Sequence, residues 1–318
     1  MAMRRSVTLI ELIFVLVIIS FLSVATFKAL HALAIRSYKA REITRLSLEA
    51  QMVVDQIAQY LSARVPATVI GYSPSDGKFE YIGDLTTDRP ILEWYGRAIE
   101  AYKEGNYSGF VDMAASDKES RILVSPDSDG DALANTTGAK FGISGDIYND
   151  HYVELIFAGA YDRGSLQSDY DNAFGWHGGE AKSIYEISMD NDGNITITDS
   201  IQPHYIYERY FIVDSAYAIA RGADIDKNAP CIANLGISDR DIDDTLFLFY
   251  NYRPWRGKTF CADPQGSGQA GDVAILMQHV AGFSFWQEDR TIRIDLDIQE
   301  DIRGSDVNVS LSKQKVVF

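Results

Sequence analysis

The sequence predicts an α+β protein in which one long N-terminal α-helix packs on an antiparallel β-sheet head. The helix is membrane-spanning in its first half and amphipathic in its second. Three observations carry this reading. No proline or glycine occurs between Val7 and Val65, the 21 residues Val7 to Phe27 hold a single charge, and much of the remaining chain alternates apolar and polar residues at the period of a strand.

The segment VTLIELIFVLVIISFLSVATF, residues 7 to 27, is charged only at Glu11. At the rise of an α-helix it covers about 30 Å, the thickness of one hydrocarbon core. Arg4 and Arg5 precede it, so the positive-inside rule keeps the N-terminus in the cytoplasm and puts the rest of the chain across the membrane. The charge balance agrees. Residues 1 to 50 carry seven basic and three acidic side chains, leaving 22 basic and 42 acidic in the remainder of a chain whose net charge is −16. A head so acidic repels phosphate backbones, and nucleic-acid binding through a broad basic surface is not expected.

Two other targeting signals fit less well. A cleaved signal peptide would use Ala32-Leu33-Ala34, but the apolar core is long for that class and carries Glu11; Arg4-Arg5 is followed by Ser6-Val7-Thr8, a poor twin-arginine context. A carboxylate inside a spanning helix costs about 3 kcal/mol, so Glu11 calls for a partner.

The nine residues Arg4-Arg5-Ser6-Val7-Thr8-Leu9-Ile10-Glu11-Leu12 resemble the cleavage and methylation motif of type IV pilins and type II secretion pseudopilins. The resemblance implies that a prepilin peptidase cuts between Ser6 and Val7, that Val7 is N-methylated, and that Glu11, fifth in the mature chain, pairs with the terminal amine of the adjacent subunit. Ser6 stands where the family usually has glycine, and Val7 where it usually has a large apolar residue such as phenylalanine. The implied partners are other pilin or pseudopilin subunits, the prepilin peptidase, an inner-membrane assembly platform and the lipid bilayer. The implied division is a leader (1–6), a transmembrane helix (7–27), an amphipathic helix continuing into the head (28–65) and a periplasmic α+β head (66–318).

In the second half of the helix Ile43, Leu46, Ala50, Val53, Ile57 and Leu61 recur every three or four residues, with Glu42, Arg45, Glu49, Asp55, Gln56 and Gln59 on the other faces. This stripe is expected to join stalk to head, and Pro66 to end the helix. Ile91 to Tyr102 has helical spacing. Tyr152 to Ala158, Tyr210 to Tyr217 and Thr245 to Tyr252 read as strands, and residues 182 to 201 as a hairpin about Asp190-Asn191-Asp192-Gly193-Asn194. Phe283 and Phe285, then Ile292, Ile294, Leu296 and Ile298, form a second hairpin expected to close the main sheet, with Val307, Val309 and Leu311 in a last strand. The order of this closing region, from Ala274-Ile275-Leu276-Met277 onward, resembles that of large-headed minor subunits, the J-type pseudopilins and W-type minor pilins. That resemblance and the size of the head imply a structural subunit at a filament tip or in an initiating complex.

Little in the head suggests chemistry. Cys231 and Cys261 are the only cysteines, and in an oxidising periplasm a bridge between them contributes roughly 3–4 kcal/mol. Asp127, Asp129 and Asp131, alternating about Gly130, offer the oxygen donors a calcium ion takes, without a complete EF-hand loop. Gly266-Ser267-Gly268-Gln269-Ala270-Gly271 matches a dinucleotide fingerprint but follows no apolar strand. The five histidines form no metal motif and no nucleophile frame is present, so the sequence reads as a non-enzyme with no cofactor other than calcium. The competing functions are a pilus-tip adhesin and a membrane-anchored periplasmic binding protein or enzyme.

Overall fold

The computed structural model describes residues 8–117, 119–159, 167–200, 203, 205–261, 271–301 and 308–318. Helix α1, Leu9–Ser62, is 54 residues long, about 80 Å at the α-helical rise. Its buried residues are Leu46, Ala50, Val53, Val54, Ile57 and Leu61. The apolar stripe is therefore the joining face, except that Ile43 stays 39% exposed. Ala63 caps the helix, and Pro66 opens a single 3₁₀ turn, Pro66–Thr68.

Among the described residues the strands of the head form two antiparallel sheets. The larger contains β1 (Ile70–Ser73), β2 (Lys78–Tyr81), β3 (Ile91–Arg97), β4 (Asp112–Asp117), β5 (Ile122–Val124), β6 (Glu154–Phe157), β7 (Tyr185–Met189), β8 (Asn194–Ile197), β9 (Tyr210–Arg221), β10 (Leu246–Tyr252) and β11 (Asp272–Met277). Strand β9 is its hub, pairing with β3, β6 and β10. The smaller sheet is β12 (Val280–Glu288), β13 (Thr291–Asp301) and β14 (Asn308–Val317), in that order. The closing hairpin therefore does not complete the main sheet. Its inward residues Phe283, Phe285, Ile292, Ile294, Leu296 and Ile298 share one core cluster with the α1 stripe and with Trp94, Ile219 and Leu248 of the larger sheet. Burying the stripe of α1 is what draws this hairpin away from the main sheet. Ion pairs fasten the same joint: Arg45 reaches Glu300 at 2.7 Å and Lys315 reaches Asp55 at 2.7 Å.

The remaining expectations meet mixed outcomes. Residues 91–102 are a strand, Ile91–Arg97, followed by the short helix α2, Ile99–Lys103. Six successive residues of β3 are buried, so both its faces lie in core and the alternation that marks a half-exposed strand is missing. The hairpin around Asp190 forms, with Asp190 accepting from the amides of Asp192 and Asn194 and with Gly193 at φ +78° in the left-handed region. Strand β9 runs four residues further than its sequence pattern indicates. The last strand forms from Asn308 onward, and Val307 lies outside the described residues.

Candidate functional site

The most distinctive surface is the free part of α1. Sixteen large apolar side chains between Leu9 and Leu33 are exposed, each by 46% or more. This helix is long and apolar enough to cross a membrane, and none of its most apolar window is buried. Glu11 is exposed in its first turn. Ser20 satisfies its hydroxyl by donating to the Leu16 carbonyl at 2.8 Å, so the apolar stretch needs no water there. Ser6 and Val7 lie outside the described residues.

Cys231 and Cys261 form a disulfide with Cα atoms 5.6 Å apart, beside the core that holds Phe247, Phe249 and Phe260. The aspartates of the 127–131 run are engaged in local structure. Asp129 is the N-cap of helix α3, Gly130–Phe141, its carboxylate accepting from the Ala132 amide at 3.0 Å. Asp127 adopts φ +56°, and Asp131 lies in the first turn of α3. Gly130 is required there, because a Cβ would come within 2.0 Å of the Met189 carbonyl. Among the described residues no three His, Cys, Asp or Glu side chains are arranged to hold a metal ion. Oxygen-rich spacing served a helix start in one run and a hairpin turn in the other. The glycine-rich run lies outside the described residues up to Ala270.

Three buried acids escaped the sequence reading, and each sits inside an apolar run: Glu93 in β3, Glu154 in β6 and Asp214 in β9. Glu93 accepts from the Tyr252 hydroxyl at 2.7 Å and lies 2.6 Å from His177 Nε2, whose ring stacks on Tyr72. Asp214 takes Lys140 of α3 at 2.6 Å. Burial works against the Lys140 charge, but Asp214 more than restores it and holds the ammonium above its ordinary range. Lys140→Met is expected to lower stability by about 3–5 kcal/mol, because it leaves a buried carboxylate without its partner. Urea unfolding measures this, and the double variant with Asp214→Leu should recover most of the loss. A single-variant loss too small to move the urea midpoint would show that the pair contributes nothing.

Glu154 is different because its partners do not satisfy it. Its side chain is 2% exposed, Oε1 lies 3.2 Å from His151 Nδ1, and Oε2 is buried without a hydrogen-bond partner. Burial, then Glu186 and Asp199, push its carboxyl up to about 9 against a weaker opposing pull from Arg256. Glu186 faces Glu154 directly across the β6–β7 pair and approaches His151 Nδ1 at 3.6 Å. These groups line a cleft of about 500 Å³ with Trp255 in its wall. No family model, curated protein or solved structure matches the chain.

Proposed function

We propose that the chain is a pilin-type subunit, a minor pilin or pseudopilin of a type IV pilus or type II secretion pseudopilus, anchored in the inner membrane with its head in the periplasm. The observation that carries this reading is the single continuous helix, bare and apolar over its first half and locked into the head over its last turns. In a monomer so much exposed apolar side chain needs a lipid or protein environment. A bilayer supplies it before assembly, and neighbouring copies of the same kind of helix supply it in a filament. In this reading the peptidase cuts between Ser6 and Val7, and Glu11 finds the freed amine of an adjacent subunit, which removes the cost of a lone carboxylate among apolar helices. The size of the head suits a tip or initiating position, since a bulky head is hard to repeat along a close-packed filament.

The test is the N-terminal residue and intact mass of membrane-extracted protein, made with and without a prepilin peptidase. The expected product begins at Val7 and carries one added methyl group only when the peptidase is present. A chain starting near Ile35, or an uncut chain in both samples, overturns the proposal.

A further inference from the structure

The geometry points to the cleft between His151, Glu186 and Trp255 as a binding site for a primary ammonium group, with Glu154 at its floor as the carboxylate that receives it. Three features support this, and none depends on the role of the anchor helix.

The first is an unpaired acid in a prepared position. Glu154 is all but fully buried, its Oε2 has no hydrogen-bond partner, and the atom belongs to a residue lining the cleft. A buried carboxyl left half-satisfied is destabilising, so a native structure that keeps one calls for an explanation. An ammonium, with three donors and no acceptor, supplies what Oε2 lacks.

The second is charge. Glu186 on β7 and Asp199 after β8 both act on Glu154, and Arg256 is the one lysine or arginine among the described lining residues. Arg256 is directed away in part, its Nη1 donating to the Asp150 carbonyl at 2.7 Å. His151 stands between the two glutamates, with Nδ1 3.2 Å from one and 3.6 Å from the other. Two further carboxylates around a protonated one favour a cation that lets the third ionise.

The third is the fixed wall. Trp255 Nε1 donates to the His151 carbonyl at 3.1 Å, which ties the indole to the loop carrying the imidazole. Trp255 brings an aromatic ring into the same lining as the carboxylates, and aromatic rings attract alkylammonium groups. The cleft, about 500 Å³, admits the four-carbon stem of a lysine as well as a small free amine.

On binding, the ammonium takes the place of the proton on Glu154: the O–H bond breaks, the carboxylate keeps the electron pair, and the proton passes to solvent. Titration calorimetry of the full chain in detergent micelles at about pH 7.5, with Nα-acetyl-lysine amide and in two buffers of different ionisation enthalpy, reads binding and proton release together. The expected result is saturable binding with net proton release, and no binding of Nα-acetyl-norleucine amide, which lacks the amine. Glu154→Gln should weaken binding about tenfold or more and abolish the proton release. Propylamine separates the two sources of the group: affinity equal to that of the lysine probe assigns a free amine, and weaker affinity assigns a protein-borne lysine. Absence of saturable heat with either amine overturns the inference, as does equal binding of the norleucine probe or unchanged binding by Glu154→Gln.

Discussion

Glu154→Gln is expected to raise the stability of the head at about pH 8 by on the order of 4 kcal/mol, and to leave it unchanged near pH 4. In the folded chain burial, together with Glu186 and Asp199, raises this carboxyl to about 9, while in the unfolded chain it titrates at its ordinary 4.5. Between those values the folded state holds a proton that the unfolded state has lost. Stability from this group is therefore complete below the unfolded value and falls as pH rises toward the folded one. Glutamine copies the protonated form in shape and cannot ionise, so it avoids that loss. The chain's large excess of acids also favours unfolding as pH rises, but this acts on both proteins and cancels in their difference. Urea midpoints for the pair across pH 4 to 9 measure the effect. A glutamine variant less stable than the parent at about pH 8 would mean that Glu154 is ionised and well paired, contrary to the geometry of Oε2.

What the sequence could and could not reveal follows from the range over which each signal acts. Helix α1 was legible because its determinants are local: no helix breaker, one charge in residues 7 to 27, and a stripe at helical spacing that the fold buries almost residue for residue. The hairpins about Asp190 and Asp289 were legible for the same reason, with period-two alternation on either side of a polar turn. Strand β3 was hidden because burial on both faces erases alternation, and Ile91, Trp94, Tyr95 and Ala98 happen to fall at helical spacing. The separate small sheet could not be foreseen, since strand partnership is decided by which surface α1 covers and not by the strands themselves. The cleft left a partial trace. One glutamate in Val153-Glu154-Leu155-Ile156-Phe157 marks a buried acid, as Glu93 and Asp214 do in their own runs. Nothing in the sequence, however, says that Glu154 meets Glu186 and Trp255, while Asp214 meets Lys140.

Removing residues 1–34 is expected to move the protein entirely from the membrane fraction to the soluble one, with the head still folded. The two halves of α1 have different physical duties. Every helix residue buried in the head lies at Leu46 or beyond, so the deletion takes none of that core, and the Arg45–Glu300 and Lys315–Asp55 pairs also remain. What it takes is sixteen exposed large apolar side chains. At about 1.5 kcal/mol each, the lower end for burying such a side chain, their transfer into lipid is worth on the order of 20 kcal/mol. No reversible surface contact matches that figure, and an acidic head is repelled by anionic headgroups. Fractionation, circular dichroism and the urea midpoint of the shortened chain measure the outcome, with Glu11→Leu in the full chain as the companion. That variant should stay in the membrane, since it removes a charge from the apolar stretch, and should fail only in steps that need the carboxylate. A shortened chain that still sediments with membranes would place a second membrane contact on the head. One that loses its cooperative transition would show that the exposed half of α1 supports the fold, and anchoring and folding could not then be assigned to separate halves of the helix.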